Sequence, residues 1–179
     1  MADLTLLVLS GSLRSGSVNT IVADHVAAVT PDGVSVVRHP LDDVPLFNQD
    51  LEDAGDPDAV TQLKELTASC DGIVMVTPEY NVGVPAVTKN AVDWMSRPYG
   101  SGPITGQPFG VVAVSPGGRA GVGARIHLMD TLRILTERAY EETLGMGKIY
   151  DQLEDGRLGD EGADALRTWL AGFVAHVRG

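Results

Sequence analysis

Cysteine occurs once in the 179 residues, at Cys70. A lone thiol excludes an internal disulfide framework and a zinc site built on paired cysteines. The four histidines, His25, His39, His127 and His176, form no pair at ligand spacing. Aromatic residues are scarce, at 5%, so the core must rest on Val, Leu, Ile and Ala. Basic residues are scarce too: 13 against 24 acids, a formal net charge of −11. Polyanion binding needs clustered Lys and Arg, so nucleic-acid partners are not expected. No apolar run approaches the roughly 18 residues of a membrane span. The N-terminus, with Asp3 and no base before Arg14, does not read as a secretory signal. These absences together predict a cytoplasmic protein without a membrane partner.

What is present fits a globular chain. Hydrophobic residues make up 44% and charged residues 21%, and a chain of this length suits one domain spanning 1–179. Short apolar, β-branched runs alternate with longer stretches of helical period. The runs Leu4–Leu9, Val34–Val37, Gly72–Val76 and Phe109–Val114 read as strands, the near-continuous ones as strands covered on both faces. A fifth strand is expected over Ala139–Leu144. Helices are expected over Ser17–Val29, Ala59–Ser69, Val84–Ser96 with Pro85 in the first turn, Ala120–Glu137 and Asp164–Val177. The stretch Asp42–Asp58 carries seven acids and no base, and reads as a solvated loop. Strands alternating with helices imply right-handed parallel crossovers and a doubly wound α/β sheet. Such sheets bind ligands outside the carboxyl ends of their strands, where the winding reverses. The loops after strands one, three and four are therefore the place to look.

The loop after the first strand runs Ser10-Gly11-Ser12-Leu13-Arg14-Ser15-Gly16-Ser17-Val18-Asn19-Thr20. It offers hydroxyls, free backbone N–H groups and a helix N-terminus, a combination that suits a phosphate. Arg14 sharpens this: among the first sixty residues ten acids face two bases, Arg14 and Arg38. Ser17 or Asn19 could serve merely as a helix cap, but capping alone does not require Gly11, Arg14 and Gly16. A Walker A loop needs Lys where Ser17 stands, and the dinucleotide fingerprint needs Gly-x-Gly, which Ser12 and Leu13 break. A mononucleotide remains. After the third strand, Thr77-Pro78-Glu79-Tyr80-Asn81-Val82-Gly83-Val84-Pro85 forms a stiff turn suited to the polar edge of a planar heterocycle. In the helix that follows, Trp94 falls on the core stripe, whereas Lys89, Asn90 and Asp93 share the other side, for solvent or a subunit contact. After the fourth strand, Ser115-Pro116-Gly117-Gly118-Arg119-Ala120-Gly121-Val122-Gly123 holds four glycines in seven residues, which permits close backbone approach. Three such loops over one sheet edge point to a single extended ligand.

With these motifs assembled, the chain resembles the NADPH-dependent FMN reductases, a flavodoxin-like family that includes quinone, azo-dye and chromate reductases. The resemblance rests on Gly11-Ser12-Leu13-Arg14-x-Gly16-Ser17-x-Asn19, on Pro78-Glu79-Tyr80-Asn81-x-Gly83-x-Pro85 continuing through Lys89-Asn90-Ala91-x-Asp93-Trp94-x-Ser96-Arg97, and on Ser115 with Gly117-Gly118. It departs where many members carry Ser in place of Gly83 and an apolar residue in place of Thr88. It implies a three-layer fold with a five-stranded parallel sheet of order 2-1-3-4-5, binding FMN. Ser12, Arg14, Ser17, Val18 and Asn19 would hold the phosphate. Pro78, Glu79, Tyr80 and Asn81 would line the isoalloxazine, with Ser115, Gly117 and Gly118 on its other side. NADPH or NADH would serve as cosubstrate, a small molecule as electron acceptor, and the chain would form a homodimer or homotetramer.

The flavin carries the chemistry in such a protein, so no catalytic acid or base is assigned. Glu79 is expected to make a structural pair. Two rival readings stay open on the sequence. One is a flavodoxin-like electron carrier, against which Tyr80 is the only aromatic in the three loops. The other is a redox sensor acting through Cys70. Recognition of a nicotinamide 2′-phosphate would need a base, for which Arg97, Arg119 and Arg125 are candidates.

Overall fold

The computed structural model describes residues 4–179; the N-terminal reading at Asp3 lies outside them. Five parallel strands form the sheet: β1 (Leu4–Ser10), β2 (Val34–His39), β3 (Gly72–Thr77), β4 (Phe109–Val114) and β5 (Leu144–Met146), in the order β2-β1-β3-β4-β5. Because side chains alternate across a strand, each central strand feeds two cores at once. Leu6, Val8, Val74, Val76, Val112 and Val114 face one layer, whereas Leu7, Leu9, Ile73, Met75 and Val111 face the other.

The first layer holds α1 (Val18–Val29) and α6 (Asp160–Arg178). Three aromatics cluster here: Trp169 and Phe173 stack with centroids 5.6 Å apart, and Tyr140 packs on both. Glycines on the strands make room for them. A Cβ on Gly110 would stand 2.8 Å from Trp169, and one on Gly72 3.3 Å from Phe173. The second layer holds α3 (Asp58–Ser69), α4 (Ala86–Met95) and α5 (Val122–Leu135).

Four expectations are corrected. The acidic stretch 42–58 is not all loop: α2 (Gln49–Ala54) forms within it, capped by the Asn48 side chain accepting from Asp50 N at 3.0 Å. Its acids are partly neutralised, Glu52 by Arg97 at 2.8 Å and Asp56 by Lys64 at 2.6 Å. The fifth strand pairs later than Ala139–Leu144. Ala139 makes only an isolated bridge to Phe109, and the ladder forms at Leu144–Met146 opposite Val112–Val114. Pro85 stands at the N-cap of α4 rather than inside its first turn. Asn90 is neither solvated nor free for a subunit contact. Its Oδ1 accepts from Phe47 N at 2.7 Å, and its Nδ2, like Trp94 Nε1, donates to Pro45 O at 2.8 Å. Asn90 and Trp94 thus fasten the acidic stretch to α4, and Trp94 is core, as its stripe position indicated. The helix limits also differ: α5 starts at Val122 and ends at Leu135, and α6 begins at Asp160. Before α6, Leu153–Glu154 and Arg157–Leu158 (β6 and β7) make a small hairpin around Asp155-Gly156.

Candidate functional site

The winding reverses between β1 and β3, so their following loops diverge and leave a crevice at the carboxyl edge. A slot of about 130 Å³ opens there, lined by Ser12, Arg14, Ser17, Val18, Asn19, Pro78, Glu79, Tyr80, Val114, Ser115, Pro116 and Tyr150. Nine of the twelve residues singled out in the sequence stand in its wall; Asn81, Gly117 and Gly118 do not. At Ser12 and Arg14 the slot adjoins a second cleft of about 330 Å³ that also includes Arg38, His39 and Asp42.

The β1 loop keeps the donors that would suit an anion unspent. Ser17 does cap α1, its Oγ accepting from Asn19 N at 3.2 Å. Ser17 N in turn donates to Arg14 O at 3.1 Å. The N–H groups of Ser12, Leu13, Ser15, Gly16 and Val18 find no acceptor among the described residues. Arg14 is exposed and has no ion pair among them; its nearest acceptor is Ser15 O at 3.4 Å. Asn19 is 3% exposed, yet its Oδ1 has no hydrogen-bond partner. A buried amide oxygen left unpaired costs free energy unless a ligand answers it. Gly11 belongs to packing instead: a Cβ there would collide with Thr88 Oγ1, which is itself bonded to Thr77 Oγ1 at 2.8 Å. Thr88, one of the two departures from the family pattern, thus supports this loop from below.

The β3 loop is rigid. Tyr80 and Gly83 exchange backbone hydrogen bonds of 3.2 and 2.9 Å around a turn whose central residues, Asn81 and Val82, both lie at positive φ. Glu79 makes the structural pair expected of it: Oε2 accepts from Gly123 N at 2.6 Å and from Ala124 N at 3.1 Å. In the β4 loop, Ser115 Oγ donates to Gly117 O at 3.0 Å. Close approach, expected across all four glycines there, applies to Gly121 and Gly123, which abut Ala113 and Val82; a Cβ on Gly117 would meet nothing within 4 Å.

Tyr150 was missed by the sequence reading. It follows β5 in a short 3-10 turn, Ile149–Gln152, and reaches the slot from a fourth loop. Its place just after the fifth strand, at the carboxyl edge of the sheet, was the one signal for it. Of the bases weighed for the 2′-phosphate, Arg97 follows α4 at the far end of the sheet and pairs with Glu52. Arg125 is held by Ala120 O at 3.3 Å and Thr143 Oγ1 at 3.1 Å. Arg119 stays exposed on the β4 loop, without an ion pair among the described residues. Cys70 is buried, its Sγ donating to Thr67 O at 3.3 Å, and burial pushes the thiol up to about 11. A thiol that stays protonated does not react readily with oxidants, so the sensor reading loses its chemistry. Among the described residues no helix is long and apolar enough to cross a membrane.

The donors left unspent around the slot suit the phosphate of a mononucleotide, and comparison with known proteins gives the family. The family model for NADPH-dependent FMN reductase matches residues 4–148. An NAD(P)H-dependent FMN reductase of Pseudomonas aeruginosa is 37% identical over 133 residues, covering 74% of this chain and 71% of that protein. A quinone reductase of Escherichia coli is 35% identical over 181 residues, covering 98% and 96%. Among solved structures, FerB of Paracoccus denitrificans, a flavoenzyme NAD(P)H:(acceptor) oxidoreductase, superposes with a TM-score of 0.86 at 30% identity, covering 98% and 97%. Relatives that are reductases set the electron-carrier reading aside. The chain belongs to the NADPH-dependent FMN reductase family, and is an FMN enzyme dependent on NAD(P)H.

Proposed function

We propose that this enzyme passes electrons from NADPH or NADH through FMN to a small acceptor, such as a quinone, free flavin, azo dye or metal oxyanion. The phosphate of FMN would rest on the β1 loop, held by Arg14, by the Ser12 and Ser17 region, and by the free N–H groups at the start of α1. The ring would lie between Pro78–Asn81 and the Ser115, Gly117 and Gly118 loop. The observation that carries this reading is the unspent set of donors beside the slot, unbonded N–H groups and a guanidinium without an ion pair among the described residues. The buried Oδ1 of Asn19, an acceptor, would be answered by a hydroxyl or N–H of the ligand and not by its phosphate.

Bound FMN supplies two-electron chemistry between donor and acceptor. The stiff β3 turn would orient the ring, and the open side of the slot would admit donor and acceptor in turn. No side chain in the slot is assigned a proton, since Glu79 is committed to α5. Arg119 is the base we assign to the donor's phosphates. The exposed side chains of Tyr80 and Tyr150 in the slot wall, with Val82 on the same turn as Tyr80, suit a homodimer or homotetramer contact near the flavin. The single buried thiol suits a reducing cytoplasm.

Steady-state oxidation of NADPH and of NADH with menadione tests the reading. Parallel double-reciprocal lines are expected from one opening used alternately. No turnover without an added partner protein would contradict it.

A further inference from the structure

The β3 loop is fastened to α5 by one carboxylate. α5 has no cap of its own: Gly121 offers no side chain, and the first turn contains no acid. The free N–H groups at the start of such a helix carry partial positive charge. Glu79, more than 40 residues earlier in the chain, supplies the missing anion through its bonds to Gly123 N and Ala124 N. The fit tolerates only glycine at 123, where a Cβ would collide with Val82 O and stand 2.9 Å from Glu79 Oε2. The turn holds this position at the expense of its backbone. Val82, a β-branched residue, sits at φ 63°, a conformation that persists only where the surroundings impose it. Glu79 also lines the slot together with Ser115 and Pro116 of the loop that leads into α5. One side chain therefore ties the two walls together and places a negative charge between them.

We propose that Glu79 is a positioning and potential-setting residue: it fixes the spacing between the β3 and β4 loops and keeps the reduction potential of the flavin between them low. Its charge neutralises the N-terminus of α5, which would otherwise favour the negative charge a flavin gains on reduction. This inference rests on FMN lying in the slot.

Three variants separate the two roles. Glu79→Gln keeps an acceptor for the α5 N–H groups and removes the charge. Glu79→Ala removes both. Gly123→Ala leaves the carboxylate intact and forces the turn off the helix. Flavin-fluorescence quenching gives FMN affinity, and spectroelectrochemical titration gives the midpoint potential. Glu79→Gln is expected to bind FMN within about threefold of the parent, with its potential shifted upward. Glu79→Ala and Gly123→Ala are expected to bind FMN about tenfold more weakly or worse, the loss of at least one charge-assisted bond or of the wall spacing. If the parent protein takes up FMN and all three variants match it in affinity and potential, the role of Glu79 is overturned while the flavin reading stands. A parent that takes up no FMN overturns the flavin reading itself.

Discussion

The two loops on either side of the winding reversal are built on opposite terms. After β1, polar groups are left unspent among the described residues: Arg14 without a carboxylate, a run of N–H groups without acceptors, and Asn19 Oδ1 buried without a partner. After β3 the polar groups are used within the protein: Thr77 on Thr88, Tyr80 on Gly83, Glu79 on α5. The difference shows how a small domain makes a ligand site. One wall must be set before the ligand arrives, so its groups are satisfied internally. The other must give its groups to the ligand, so it stores unmet hydrogen-bonding capacity that the rest of the fold has to stabilise.

The sharpest way to break this contrast is Arg14→Ala. The open loop should lose about 1.5–3 kcal/mol of FMN binding, the range for a hydrogen bond to a charged group, with apoprotein stability unchanged. Titration with FMN and thermal denaturation without it read the two separately. Gly11→Ala asks whether the open loop depends on the closed one, since the added Cβ is driven into Thr88. Overpacking of this kind costs about 1–3 kcal/mol, so chemical denaturation should show a destabilised apoprotein, in contrast to Arg14→Ala. Asn19→Ala gives a smaller effect of two signs. Removing a buried amide with an unanswered oxygen should leave the apoprotein as stable or more so, and weaken FMN by about 1 kcal/mol. An apoprotein destabilised by this change would show that Asn19 serves the fold rather than the ligand.

The smallest effect concerns the cleft beside the open loop, where burial holds the His39 ring below its ordinary value of 6.5, against an opposing pull from Asp42. Burial lowers His25 on α1 as well, helped by Arg167. A histidine lowered in the folded state takes up its proton more readily when unfolded. Stability is therefore level above about 6.5 and declines as pH falls below it. Replacing both rings by Gln should flatten urea midpoints between about pH 7 and pH 5.

Much of the fold was legible because the central strands are buried on both faces and read as unbroken apolar runs, Leu6–Leu9 and Ile73–Val76 above all. The edge was harder. β5 has three residues and pairs on one side, so Leu144-Gly145-Met146 carries little periodicity, and Ala139, where the strand was expected to begin, makes only an isolated bridge. The short α2 hid among acids whose partners, Lys64 and Arg97, lie in later segments. In the site, the loop residues of β1 and β3 were readable because glycine, proline and hydroxyl residues cluster there. Tyr150 was not, because it reaches the slot by tertiary placement alone. Asn90 misled for the same reason: its position on the helix is polar, and only the fold brings Pro45 and Phe47 over it.

Tight FMN binding, as proposed, depends above all on a phosphate seated in the loop from Ser12 to Asn19. Calorimetric titration of the apoprotein with FMN and with riboflavin, side by side, tests this most directly. FMN should bind at least about tenfold more tightly than riboflavin, since only FMN reaches the unspent donors and Arg14. Equal affinity for the two would contradict it.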